Sequence, residues 1–580
     1  MSNLIYVCRR ESSDLAGGAL LERVADWITP PPIKGFAHRI RQAPGEAVCL
    51  TGPGGAGGLE GTSGRVGAFV GDWPEWHRPG SAIPDGSFAL VRSDGGLTEL
   101  CSDYGGTRTL WYAITDTDFF VSTSQRAIIC LLQGLSLSRP GFAWFLSSGS
   151  LGPSGAWDTR IRRLPRGARL TLDRARWTLS LVTTSIVFRN LPMRREEALE
   201  GLRHVLAKAI GSCQGLSPQW ILPLSGGYDS RMLLATLYGT GLRPRTVTWG
   251  LAASRTQRGN DAFIAEKLAR HYGLRNDYLL TEHSVAPPPV VVDAFIEAHG
   301  GTTDALFPYL DGLSLWARFA LEGVDGIIRG DEGFGTISRP ERHHRYAQDM
   351  ILLSELIGDE AAEAVADGRQ TLPRELRREP EETVQTYGDR LIHACFIPIH
   401  LAGLTDVKTP FVDVLNPMLA GSVLEFVRMM PDHLREGRNV YGQLTRSIGP
   451  PIPFAVLAAD DSRNGFLQSD PYNLWMAEEL ASETMARLLP PPFRAAIAQS
   501  LVSESRSKPT LSLGRVLLKH LIPSSLVAAV RAVGPPHVPT NRVIAFRIAL
   551  ASRIIRLLER DSEHLARFTP SGGMPERAGT

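Results

Sequence analysis

Short apolar runs separated by turn residues mark the first third of the chain. SFALV (87–91), LWYAI (110–114) and FFVST (119–123) are each about one strand long and are bounded by Gly, Pro, Asp and Ser. That pattern predicts a β-rich unit reaching to about residue 185. AVCLTGPGGAGG (47–58) carries a GxGxxG after a possible strand, but LEGTSGRVG follows. A dinucleotide fingerprint opens a helix, and no amphipathic helix follows here. The segment reads as a mobile glycine loop.

The period changes at Met193. In MRREEALEGLRHVLAKAIGSC, residues Leu199, Leu202, Leu206 and Ile210 share one helical face. Strand-like and helix-like runs then alternate. WILPL precedes SRMLLATL, and TVTWG (246–250) precedes DAFIAEKLARHYG (261–273). DYLL, helices near 291–299 and 311–321, and GIIRG (326–330) complete the series. Such alternation predicts a parallel sheet covered by helices. Residues 341 to about 500 read as mainly helical, with a break at LPPPF (489–493). The tail from about 510 to 568 reads as a helical segment whose many Arg and Lys form a solvated face. The last dozen residues read as disordered. The expected division is a β-rich unit at 1–188, an α/β unit at 189–500 and a basic helical extension at 501–580.

Composition narrows the partners. The chain has 580 residues, too many for one core. It is 43% hydrophobic with a formal net charge of +2, so nothing calls for nucleic acid. No apolar run reaches the roughly 18 residues that a membrane span needs, and no signal-peptide pattern opens the chain. Cys8, Cys49, Cys101, Cys130, Cys213 and Cys395 are scattered, with no CxxC pair. They read as reduced, mostly buried thiols of a cytoplasmic protein.

The most informative stretch is WILPLSGGYDSRMLLATL (220–237). A strand stops at Ser225-Gly226-Gly227 and a helix begins at once. The free amides of a helix start attract an anion. Glycines let a ligand approach the main chain, and Ser225 and Ser230 add hydroxyls. Capping of the helix by Ser225 is the simpler alternative. Asp229 would repel a phosphate unless Mg²⁺ lay between them, since Mg²⁺ takes carboxylate and phosphate oxygens together. No lysine follows the glycines, which excludes the P-loop GxxxxGK[ST]. A second acid is expected after the later strand GIIRG. Asp331 is favoured for that role and Glu332 is the alternative.

SGGYDS resembles the PP-loop of ATP pyrophosphatases. With GDEGFG (330–335) and DVKTPFVD (406–413), it is similar to successive landmarks of the asparagine synthetase C-terminal domain. MMPDHLREGRNVYGQL (429–444) follows at a matching place. PDGSFALV, CSDYGGTRTLWY, FFVSTSQRAI and TRIRRLPRGARL resemble the class II glutaminase domain that precedes that synthetase. The implied fold class is α/β: a degenerate glutaminase-like β-sandwich, then a PP-loop ATP pyrophosphatase domain with a parallel sheet and a helical C-terminal extension.

The departures from the family pattern decide the expected activity. The family's glutaminase needs an N-terminal cysteine after Met1, and here Ser2 stands in its place. Cys8 is preceded by a likely strand and cannot supply a free α-amine. The family glutamate of SGEG falls at Ile328, which argues against a small aspartate-like substrate. A synthetase without an ammonia supply needs an amine already on its substrate. β-Lactam synthetases and lasso peptide cyclases both work this way. Size, basic extension and degenerate N-terminal domain look more like a lasso peptide cyclase, and IIRGD lacks the tyrosine frequent in the β-lactam branch.

The resemblance implies a set of site residues. ATP would contact Leu224, Ser225, Gly226, Gly227, Asp229, Ser230, Thr248 and Gly330, with Mg²⁺ on Asp229 and Asp331. Asp406, at the family Glu of ExRxPFLD, would orient or deprotonate the amine, or else pair with Lys408. Arg438, at the family lysine, would stabilise phosphate charge and could not act as a base. Asp413 reads as a helix cap. The implied partners are a core peptide substrate and, through the tail, a leader-peptide recognition protein or leader peptidase. His343-His344 beside Arg342 and Arg345 read as a solvated or substrate-facing basic stretch. Tyr309 and Tyr346 could line a peptide pocket, although core packing is commoner.

Overall fold

The computed structural model describes residues 3–11, 17–52, 57–153, 155–335, 344–346, 348, 350–459, 465–506 and 539–565. Two six-stranded antiparallel sheets form the N-terminal part. One runs in the order Arg162–Arg163, Trp111–Ile114, Asp118–Ser122, Leu4–Arg9, Glu46–Leu50, Arg39–Ala43. The other runs Thr178–Val182, Arg169–Asp173, Leu97–Ser102, Asp85–Ser93, Ser63–Val70, Gly58–Glu60. Leu4, Tyr6 and Val48 of the first sheet meet Val66, Val91 and Leu100 of the second in one buried core. The alternate residues Ile5 and Val7 face the opposite way, onto Leu21, Val24 and Ile128. Both faces of Leu4–Arg9 are therefore covered, which is why LIYVC reads as an unbroken apolar run.

The covering helices, Gly17–Ile28, Gln125–Leu132 and Arg139–Ser148, were not expected from a β-rich reading. QRAIICLL is buried at every position but the last, and eight residues are fewer than the window in which a helical period can be read. Cys8 lies inside the first strand rather than after it. Its thiol is pushed up to about 11, chiefly by burial, and all six cysteines are buried and unpaired. Ser2, residues 53–56 of the glycine loop and the last dozen residues lie outside the described residues.

The second part holds the expected parallel sheet. Its five strands run in the order Asn276–Leu280, Arg245–Gly250, Trp220–Pro223, Gly326–Ile328, Asp413–Leu415, all parallel. Helices Tyr228–Gly239, Asp261–His271, Pro288–His299 and Ser314–Leu321 connect the first four. The first strand in sequence is central, with the second on one side and the fourth on the other. That reversal is a topological switch point, where ligands of open α/β sheets bind at the carboxyl edge. Asp413 opens the fifth strand and is fully buried. It does not cap a helix, because the chain stays extended there to pair with Gly326.

The tail departs most from expectation. Asn541–Glu563 is a 23-residue helix whose Ile544, Ile548, Ile555 and Leu558 are buried. Apart from the exposed Arg560, its arginines are buried or paired rather than solvated. Arg547 pairs with Asp304 at 2.7 Å and Arg556 with Glu479 at 2.7 Å, while Arg553 pairs with Asp293. Asp561 meets Arg126 of the N-terminal part at 2.8 Å. The helix is thus core to the molecule. Among the described residues no helix is long and apolar enough to cross a membrane.

Candidate functional site

The central strand ends at Pro223, and Leu224 still donates to the Val247 carbonyl at 2.8 Å. The chain then leaves the sheet through Ser225 and Gly226 and enters the helix with Gly227 as N-cap. No side chain caps that helix, so Ser225 is not its cap. Ser225 Oγ instead accepts from the Gly227 amide at 3.2 Å and lies 3.0 Å from Ser230 Oγ. Gly226 has no room for a side chain. A Cβ there would lie 2.5 Å from Ala455 Cβ and 2.8 Å from Ile264 Cβ.

These elements border a pocket of about 390 Å³ lined by Leu224, Ser225, Asp229, Ser230, Thr248, Gly330 and Asp331. The expected nucleotide and acid positions thus converge at the switch point, with Gly226 and Gly227 in the loop beside them. Trp249, Asp261 and Arg329 also line the pocket. Thr248 donates to the Leu224 carbonyl at 2.6 Å and so ties the second strand to the loop. Gly330 must be glycine, because a Cβ would fall 2.7 Å from Asp229 Cβ. That close approach sets the Asp331 segment against Asp229.

The acids are not equivalent. Asp331 is held by Arg329 at 2.9 Å. Among the described residues Asp229 has no such ion pair, and its carboxyl is pushed up to about 7, first by burial and then by the charge of Glu332. The Tyr441 hydroxyl and Arg438 oppose that shift, and Asp331 adds to it. Glu332 accepts from the Phe334 amide at 2.6 Å and pairs with Arg438 at 2.7 Å. The structure therefore brings Arg438 to the edge of the acid cluster through Glu332, although it does not line the pocket.

Asp406 is elsewhere. It lines a separate cavity of about 10 Å³, the space of roughly one water. Its carboxylate accepts from Thr109 at 2.9 Å. Burial pushes it up to about 6, against Arg108, Thr109 and Arg163 of the N-terminal part. Asp406 therefore faces the junction between the two parts and not the Ser225–Gly227 loop. Lys408 does not pair with it and turns instead to the Leu404 carbonyl and the Tyr309 ring. Tyr309 is core, 2% exposed, beside Phe295 and Trp316.

The basic stretch is also reassigned. His344 and Tyr346 are buried, so neither is solvated. Arg345 pairs with Glu355 at 2.6 Å, while Arg342 and His343 lie outside the described residues.

Besides Trp249 and Arg329, two further residues of the site were not foreseen. Asp261 accepts from the Gly226 amide at 3.0 Å. Its place at the start of the helix after the second strand was a usable signal. Tyr441 donates to Asp229 at 2.8 Å, and nothing local in the sequence announces a contact across 212 residues.

No family model matches the chain, and no curated protein matches it. Among solved structures, one titled "Structure of the allosteric regulatory enzyme of purine biosynthesis" aligns at 9% identity with a TM-score of 0.21. The alignment covers 49% of this chain and 82% of that one. At that score the likeness carries no argument.

Proposed function

We propose that the chain is an ATP-dependent, AMP-forming amide ligase of the asparagine synthetase-like kind, acting as a lasso peptide cyclase. In this reading the N-terminal sandwich is a degenerate class II glutaminase-like unit of the Ntn type, and the parallel-sheet part is a PP-loop synthetase unit. One observation carries the proposal. Ser225, Asp229 and Ser230 of SGGYDS line a single pocket with Thr248, Gly330 and Asp331 at the switch point of a parallel sheet.

Mg²⁺ fits the residues present. Burial and the neighbouring acids crowd negative charge at Asp229, and a cation would relieve it. Among the described residues no group of three or more His, Cys, Asp or Glu forms a metal site. Mg²⁺ commonly takes one or two carboxylates and completes its shell with phosphates and water, so Asp229 and Asp331 suffice. When bound, the ion would neutralise charge on the phosphate oxygens.

The chain's own groups would then act as follows. The hydroxyls of Ser225 and Ser230 receive the β and γ phosphates, and the Gly226 and Gly227 amides would exchange Asp261 and Ser225 Oγ for phosphate oxygens. The substrate's Asp or Glu side-chain carboxylate oxygen attacks the α-phosphorus, the bond to the β-phosphate oxygen breaks, and pyrophosphate leaves. Arg438 stabilises the charge that develops. The peptide's N-terminal amine attacks the acyl carbon, loses a proton, and AMP departs with the ring closed. Holding both reacting ends in one pocket makes this step intramolecular, where effective molarities reach ~10⁵ M or more. Because Asp406 faces the junction, no role in the amine's deprotonation is assigned to it.

The test is incubation with ATP, Mg²⁺ and a leaderless core peptide from a precursor encoded beside this chain. The expected products are AMP, pyrophosphate and a peptide lighter by one water. ADP formation, or no nucleotide turnover with any such peptide, would overturn the proposal.

A further inference from the structure

We infer that Tyr441 is the residue that positions Asp229 for a divalent ion. The inference rests on the reading just given. Tyr441 lies in the first turn of the helix Asn439–Ile448 and is 2% exposed. Its hydroxyl donates to Asp229 Oδ1 at 2.8 Å. Its ring packs on Phe334 with centroids 4.3 Å apart. Val440 and Leu444 of the same helix are buried in the core beneath the loop.

The geometry leaves Asp229 little freedom. Gly330 closes on its Cβ and main chain, which limits where the carboxylate can stand. Tyr441 then takes one of its two oxygens and leaves Oδ2 as the oxygen it does not engage. A carboxylate that binds metal is itself oriented by a hydrogen-bond donor, and losing that donor typically costs 10–100-fold in metal affinity. The neighbouring charges are held without Tyr441, because Glu332 is fixed by Arg438 and the Phe334 amide. Replacing the hydroxyl alone therefore changes the orientation of Asp229 without removing the pair beside it.

The experiment uses the full chain and its Tyr441→Phe variant, which keeps the ring on Phe334. ATP binding is measured by calorimetry across a Mg²⁺ titration and in EDTA, and Mn²⁺ binding is measured by electron paramagnetic resonance. The expected result is a 10–100-fold rise in the metal concentration for half-saturation, with ATP affinity in EDTA and thermal midpoint unchanged. In an Asp229→Asn background, Tyr441→Phe should add nothing. An unchanged metal requirement in Tyr441→Phe, or an equal loss of ATP affinity in EDTA, overturns the inference. If the unaltered chain shows no metal-dependent ATP binding, the functional reading itself falls.

Discussion

Arg438 and Glu332 stand 106 residues apart in sequence and meet at 2.7 Å beside Asp229. Arg438 does so from a left-handed backbone, φ +58°, directly after Gly437 at φ +62°. A non-glycine residue in that conformation costs about 1 kcal/mol, so the turn presents this side chain at some expense to the fold. Arg438→Gly should leave thermal stability equal or higher while turnover falls about 100- to 1000-fold. Comparison of melting curves with AMP release checks both. Full activity in Arg438→Gly would remove Arg438 from the mechanism.

Gly226 is a second point of leverage. Gly226→Ala would push a methyl into Ala455 and Ile264, and overpacking of this kind costs about 1–3 kcal/mol. It would also displace the 450–459 segment, which touches the loop where the Ala455 amide donates to the Gly226 carbonyl at 3.0 Å. The expected outcome in urea unfolding and ATP calorimetry is modest destabilisation with ATP binding lost. Gly227→Ala meets only Ser225 Oγ at 3.3 Å and should be milder in both assays.

The C-terminal helix should be indispensable. Asp561 is fully buried, takes both oxygens to Arg126 at 2.8 and 3.0 Å, and accepts from Trp27 at 2.8 Å. Removing one partner of a buried pair leaves the other charge uncompensated and costs about 3–5 kcal/mol. Asp561→Ala should lower the unfolding free energy extrapolated from urea curves by that amount, and truncation near residue 505 should yield insoluble protein. A soluble, well-folded truncation would contradict the packing described.

Acid sensitivity has a nameable source at His299. Burial pushes its ring down to about 3, while Nδ1 accepts from the amides of Gly301 and Thr302 at 3.1 and 2.9 Å. The unfolded chain, with an ordinary histidine near 6.5, binds the proton more readily. Stability from this group is therefore complete above about pH 6.5 and declines as pH falls, by about 1.4 kcal/mol per unit. His299→Asn keeps an acceptor and removes the titration. Urea midpoints of the unaltered chain should fall more steeply from pH 7 to pH 5 than those of the variant. Parallel slopes would contradict this.

Local signals explain what the sequence made legible. The alternation from residue 220 onward marks a parallel sheet because each strand is short, apolar and followed by a patterned helix. The pocket was legible because SGGYDS and Asp331 each follow such a strand, and parallel strands bring their ends to one edge. What escaped depends on distant partners. Gln125–Leu132 is eight residues long, too short for a helical period to stand out, and it packs against residues far along the chain. The tail arginines looked solvated because Asp293, Asp304 and Glu479 lie 74 to 260 residues away. Asp406 matched a family motif, yet its carboxylate is claimed by Thr109, 297 residues earlier.

The central claim is that Asp229 and Asp331 hold a divalent ion against a nucleotide seated on the Ser225–Gly227 loop. Crystals grown with a non-hydrolysable ATP analogue and Mn²⁺ would test it most directly, through the anomalous signal of the metal. The expected result is a manganese peak shared by the two carboxylates, with the β and γ phosphates against Ser225 and Ser230. Nucleotide bound outside this pocket, or a metal peak that neither acid touches, would contradict it.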